Sequence, residues 1–445
     1  MTPRRAPDDP THNALSTNET APPTGLSRRG LLGLAGAGVL GAGIGFASDR
    51  AIATAAGWGG VAGQSGAAAT YPFFAEHQSG IVTAAQDRLH FASFDVADIS
   101  RDELVELLKD WSYAASRLTQ GEPAGPGGPG GGDYDAPPGD TGEALDLPPA
   151  GLTITFGFGP TLFTDTAGRD RFDIAAKRPT EFIELPKFPG EQLITQLTGG
   201  DLCIQACSDD PQIAVHAIRN LSRIAFGRAS LRWSQLGYGR TSSTTRGQVT
   251  PRNLMGFKDG TANLKAEDTT QVNAHVWASG SDSQSWMTNG SYLVARKIRM
   301  TIETWDRTSL REQERVIGRD KNEGAPLSGG TEFTQVDLEK KSSDGVPFVD
   351  AASHVRLAHP TSNDGAVMLR RGYNFVDGND DLGRLNAGLF FISFQRNPAT
   401  QFVPVQMKLA KNDSLNEYLR HVGSGIFAVP PGAPEGGFVG QTLFA

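Results

Sequence analysis

A chain of 445 residues with 38% hydrophobic and 20% charged side chains is long enough for two domains with sizeable cores and is globular rather than disordered in composition. Its net charge of −8, with no block of lysine or arginine, leaves no footprint for a nucleic acid.

The amino-terminal stretch LSRRGLLGLAGAGVLGAGIGFA, residues 26–47, carries the first specific signal. Arg28 and Arg29 precede a weakly apolar Gly/Ala/Leu run ending at Phe46, and small residues follow at 51–57, where a peptidase could cut. The run is too short and too glycine-rich to be a good membrane span. Ser-Arg-Arg-Gly-Leu-Leu resembles a twin-arginine export signal, an address read by a receptor. That resemblance implies export in the folded state with any cofactor already inserted, and an extracellular, periplasmic or cell-envelope location. Residues 1–55 are therefore assigned to a signal peptide and leader and set apart from the fold.

The first half of the mature chain, 65–240, alternates elements in a recognisable order. LHFASFDV (89–96) reads as a strand, and 100–120 as an amphipathic helix opened by a Ser100 cap. The Gly/Pro tract 121–148 cannot bury a core and reads as a flexible surface insertion. Strands follow at 151–159 and 201–207, then a helix from Pro211 to Ala225 and a strand at 229–239. The order β-α-β-β-α-β is ferredoxin-like. Cys203 and Cys207 share one face of their strand about 13 Å apart, too far for a disulfide, so two buried free thiols are expected. The absence of Cys-x-x-Cys-His excludes covalent haem attachment of the c type.

The second half, 241–445, reads the same way, with a boundary near 238–250. A long strand is expected at 291–305, a helix at 308–318, strands at 366–375 and 388–395, mostly helix over 401–422, and a last strand at 425–431. The fold class is α+β: two ferredoxin-like (βαββαβ) halves, packed sheet to sheet as a dimeric α+β barrel-like fold.

Three residues stand out for chemistry. Asp259 lies between Gly256 and Gly260 in NLMGFKDGTANL (253–264), where the ordinary explanation is a tight Asp-Gly turn. His354 lies in a Val/Leu context that by itself is more often structural. Arg370 begins, with Arg371, an apolar strand, and burying a guanidinium without a partner is costly. Something acidic must meet it.

Taken together, GFKDG, SHVRLAHP and LRRGYNF, with FFAEHQSGI (73–81) upstream and the twin-arginine pattern, resemble the dye-decolourising peroxidases. The similarity runs over essentially the whole mature chain and is strongest to their exported A-type branch, which includes deferrochelatases. The resemblance implies one noncovalent haem b per chain, with its iron ligated by His354. It implies a proton-moving role for Asp259 and a charge-stabilising role for Arg370 on the opposite face, and contacts to the cofactor along Gly260, Thr261 and Ala262, along His359, Pro360 and Thr361, and at Arg370. It places Asp413 behind His354, although Asp413 also reads as a helix cap. Where related sequences carry Asn-Pro-Arg, this chain has His359-Pro360-Thr361, which leaves Arg356 or Arg371 to meet the haem propionates.

The activity so implied is reduction of hydrogen peroxide through an oxoferryl intermediate with oxidation of one-electron donors such as dyes and phenols. The alternative is a deferrochelatase-type, haem-handling protein in iron acquisition, which needs His354 and a pocket but not Asp259 and Arg370. A homo-oligomer and an iron- or copper-handling partner are compatible with either. His77 and Gln78 read as structural, and Tyr373, Trp111, Trp233 and Trp305 as core packing rather than radical relays.

Overall fold

The computed structural model describes residues 68–281 and 283–445. Arg28, Arg29 and the rest of the signal and leader at 1–55 lie outside the described residues. Strand β1 (Arg88–Val96) leads to helix α1 (Arg101–Leu118), which opens on a capping box. The Ser100 hydroxyl accepts from the Glu103 N–H, and the Glu103 carboxylate accepts from the Ser100 N–H. Then come β2 (Thr153–Phe158), the single turn α2 (Pro160–Phe163), β3 (Leu202–Ser208), α3 (Pro211–Ile224) and β4 (Ala229–Arg240). Helix α3 starts where Asp210 caps the Gln212 N–H at 2.7 Å and Pro211 supplies a preset φ.

The second half contributes α4 (Thr269–His275), β5 (Ser291–Met300), α5 (Ile302–Asp306), α6 (Leu310–Ile317), α7 (His354–Ala358), β6 (Leu369–Arg370), β7 (Tyr373–Asn379), β8 (Leu385–Gln395), α8 (Phe402–Asn412), β9 (Leu419–Val429) and α9 (Gln441–Phe444). All strand pairings are antiparallel. The halves order their strands alike, β2-β3-β1-β4 and β9-β5-β8-β7, which is the ferredoxin-like pattern twice. Each half joins the other at both edges: β4 pairs with β7 at Tyr238↔Asn374, and β2 with β9 at Phe158↔Ala428. The result is a closed barrel with no free edge in the ring. Gln78 reinforces the thin β2–β9 seam, donating to Phe156 O at 3.1 Å and Pro430 O at 2.9 Å and accepting from the Phe156 N–H at 2.8 Å.

The period-2 alternation of the strands sorts their side chains into two cores. Leu89 and Phe91 of β1 face the barrel interior with Cys203, Cys207, Trp233, Phe390 and Phe427, and both cysteines are free and buried. Ala92 and Phe94 face outward against Leu104, Leu108 and Trp111 of α1. A third, smaller core of Met255, Phe257, Trp305, Val316, Ile317, Leu415 and Tyr418 lies outside the barrel.

Three elements depart from the sequence expectation. The strand expected at 291–305 stops at Met300, because Thr301 donates its N–H to Tyr418 O at 2.9 Å and the chain turns into α5. That turn buries Trp305 in the third core, with its Nε1–H on Met255 O at 3.0 Å. The helix expected over 401–422 ends at Asn412, and residues 419–422 belong to β9. The strand expected at 366–375 is split into β6 and β7 at Arg371-Gly372. The tract 121–148 holds no helix or strand, yet its far end is tied down: the Asp140 carboxylate accepts from the Ala124 N–H at 2.7 Å, and Arg223 donates to Pro138 O and Gly139 O at 3.0 and 2.8 Å. Among the described residues no helix is long and apolar enough to cross a membrane.

Candidate active site

The loop between β4 and α4 carries Asp259. Met255 and Phe257 anchor it in the third core, an isolated Arg252↔Lys258 bridge narrows it, and the Asp259 N–H donates to Pro251 O at 2.9 Å. Gly260 has φ 84°, and a Cβ there would lie 2.8 Å from the Ser242 Cα, so this turn requires glycine on both counts. The turn delivers the carboxylate to Arg370, whose Nη1 donates to Asp259 Oδ1 at 3.0 Å. The Asn253 amide donates to the other carboxylate oxygen at 3.2 Å. Arg370 is itself fixed by Asn263, a buried residue the sequence reading passed over. The Asn263 side chain accepts from the Arg370 N–H and donates to the Arg370 carbonyl, both at 2.8 Å. Its position four residues beyond Asp259 in the same motif is the only signal the sequence offers for it.

His354 begins α7, at the first turn after Ser353. Its Nδ1 donates to Asp413 Oδ2 at 2.7 Å, which leaves Nε2 as the ring atom able to bind something else. Burial works against the imidazolium, but the Asp413 carboxylate outweighs it and the His354 pKa is raised; Asp259 raises it further and Arg370 opposes. The Asp413 side chain is 3% exposed, whereas His354 keeps 36% of its side-chain surface accessible. The two readings of Asp413 are both realised: Oδ1 caps the Leu415 N–H at 2.9 Å while Oδ2 holds the histidine.

The remaining expected contacts divide. Gly260 is buried and Thr261 donates its hydroxyl to Glu332 at 3.2 Å, while Ala262 is exposed. His359 Nδ1 pairs with the Thr361 hydroxyl at 2.8 Å at the end of α7, and Pro360 opens the short 3-10 turn that follows. Both arginines left to meet propionates are engaged by protein oxygens. Arg356 is spent on Val349 O at 2.9 Å and on Leu338 O. Arg371 is fully buried, donating to Ile81 O, Thr83 O, Ala84 O and Gln86 Oε1. Trp111, Trp233, Trp305 and Tyr373 are all buried. His77 stacks on Trp277 with ring centroids 3.9 Å apart.

The N-terminal domain pattern of the Dyp-type peroxidases matches residues 78–239, and the C-terminal domain pattern matches 250–434. The chain belongs to the Dyp-type peroxidase family. Its relatives include the dye-decolorizing peroxidase of Thermobifida fusca, 36% identical over 94% of this chain and 97% of that protein, and a deferrochelatase of Yersinia pseudotuberculosis, 34% identical over 84% of each. Among solved structures it is similar to ferric DtpA from Streptomyces lividans, at 40% identity and a TM-score of 0.76, covering 85% of this chain and 98% of that one. This Dyp-type peroxidase is accordingly a haem enzyme that reduces hydrogen peroxide at the expense of one-electron donors. The donor set suits that cofactor. His354 commits only Nδ1 to Asp413, and its side chain keeps 36% of its surface accessible.

Proposed function

We propose that His354 would be the protein ligand to the iron of a noncovalent haem b, one per chain, and that Asp259 and Arg370 form the peroxide-handling pair. The observations that carry this are the 3.0 Å ion pair of Arg370 with Asp259 and the 2.7 Å hydrogen bond that fixes His354 on Asp413. When bound, haem supplies the two-electron reduction of peroxide and the one-electron oxidation of donors. His354 would hold the iron through Nε2, and Asp413 draws on its Nδ1 proton, making the imidazole more electron-donating. Asp259 would take a proton from one oxygen of peroxide and return it to the other. Arg370 holds fixed positive charge toward the departing oxygen, and Asn253 keeps the second carboxylate oxygen in place. A haem-handling protein for iron acquisition would need His354 but would give the Asp259–Arg370 pair no task.

The same reading puts the chain in the A-type branch and has the Arg28-Arg29 signal export the folded, haem-loaded chain. One experiment tests the enzymatic core of this reading: the absorption spectrum of the purified protein before and after one equivalent of peroxide, then after a phenolic donor. A ferric Soret band that shifts with peroxide and returns with donor is expected. A Soret band indifferent to peroxide would leave only haem binding.

A further inference from the structure

The Asn263 clamp on Arg370 works only if the amide is held one way round, with its nitrogen on the Arg370 carbonyl and its oxygen on the Arg370 N–H. We propose that Lys265 is a positioning residue for the peroxide step: through the Ser243 carbonyl it holds Asn263, and through Asn263 it aims Arg370. The inference rests on the reading of Asp259 and Arg370 given above.

Strand β4 ends at Arg240, and residues 241–244 then run beside the break between β6 and β7, where the Thr241 N–H donates to Gly372 O at 2.9 Å. Residues 260–266 pack on the same short segment. A Cβ at Gly260 would lie 2.8 Å from the Ser242 Cα, and the Ala266 N–H donates to Thr244 O at 2.8 Å. Between those two contacts lies Ser243, 1% exposed, whose carbonyl accepts from Asn263 Nδ2 at 3.1 Å and from Lys265 Nζ at 2.7 Å. The same ammonium donates to Ser243 Oγ at 2.6 Å. Lys265 is half-buried, so its charge is committed to both side-chain and main-chain oxygens of one buried serine. Burial lowers its pKa, the Arg370 charge lowers it again, and Glu267 offsets this. A hydrogen bond from an ammonium is roughly twice as strong as one from a neutral amide, so Lys265 sets the direction of the Ser243 carbonyl and Asn263 follows it. Reversing the Asn263 amide would set its oxygen against the carbonyl oxygens of Ser243 and Arg370.

Two measurements on the purified protein test this. Hydrogen exchange, read by mass spectrometry on overlapping peptides across 366–375, reports the clamp without involving haem. Lys265→Met should quicken exchange at the Arg370 amide by about 10-fold or more, the size of one charge-assisted hydrogen bond, and Lys265→Arg should return most of the protection. Stopped-flow absorbance reports the consequence: Lys265→Met should keep the Soret band and slow the first spectral change with peroxide by about 10-fold or more, as a misplaced group does. In an Arg370→Leu background the same substitution should cost less than about 2-fold, because it acts through Arg370, whereas a merely structural role would slow both backgrounds alike. Unchanged exchange at Arg370, a wild-type peroxide rate in Lys265→Met, or equal slowing in the two backgrounds overturns the proposal. An Arg370→Leu protein that reacts with peroxide at the wild-type rate overturns the reading of Arg370 instead.

Discussion

At the scale of single residues, Asp259 and Arg370 answer each other's electrostatic cost. Either charge alone in a partly closed site would be left uncompensated, whereas the 3.0 Å pair gives each a partner. Asp259→Ala and Arg370→Leu should each keep the Soret band and slow the first spectral change with peroxide, by about 10²-fold or more for a lost acid–base group. The double variant should lose less than the product of the two, because both act on one bond cleavage. Stopped-flow mixing with excess peroxide measures this, and two near wild-type single variants would return Asp259 to the ordinary turn residue its glycines first indicate. Asp413 permits a finer separation. Asp413→Asn keeps an oxygen for the Leu415 cap but removes the charge from His354, so stability should hardly change while the peroxide step slows by about 10-fold or more. Equal rates with a large loss of stability would mean that Asp413 is only a cap.

At the scale of elements, the site depends on where strands and helices stop. The apolar run 366–375 reads as one strand, but β6 ends at Arg370, and Arg371 and Gly372 pass between strands before β7 begins. A continuous strand would have set these neighbours on opposite faces with nothing to distinguish them. The break sends Arg370 to Asp259 and Arg371 into the carbonyls of 81–84. Asn263 fixes the first of these by clamping the Arg370 backbone at both ends. Asn263→Ala should destabilise the fold by about 1–3 kcal/mol, the range for leaving buried polar groups unpaired, and also slow the peroxide step. Denaturant unfolding and stopped-flow absorbance on the same variant test both halves. A variant that loses stability while reacting at the wild-type rate would show that the clamp does not position Arg370.

At the scale of the whole molecule, packing between distant elements leaves some ionisable groups half-buried. Burial pushes the His90 pKa down to about 4, and burial with the nearby Arg296 charge pushes His421 down to about 3. In the unfolded chain both return to about 6.5. Their folded pKa values are depressed, so the stability they contribute is present above pH 6.5 and is lost as pH falls toward 4 and 3. The thermal midpoint should therefore begin to fall between pH 6.5 and 5, before most carboxylates titrate. A midpoint that stays level from pH 7 to 5 would contradict it. The proposed export belongs to this scale as well, since the twin-arginine route carries folded chains: Arg28→Lys with Arg29→Lys should leave haem-loaded precursor inside the cell, as fractionation would show.

The α+β class, the two βαββαβ halves and the family were legible in the sequence because they rest on local signals: period-2 and period-3.6 patterning, caps at Ser100 and Asp210, and motifs read in order along the chain. Those signals depend on neighbours a few residues apart. What only the tertiary structure decided depends on residues far apart in the chain. The closure of the ring rests on sparse pairings such as Phe158↔Ala428, which no local pattern announces. The different fates of Arg370 and Arg371 follow from a carboxylate 111 residues away in one case and carbonyls nearly 290 residues away in the other. An arginine in an apolar strand demands a compensating oxygen, but the sequence states only the demand; which oxygen meets it, charged or neutral, is fixed when the fold brings distant backbone and side chains together.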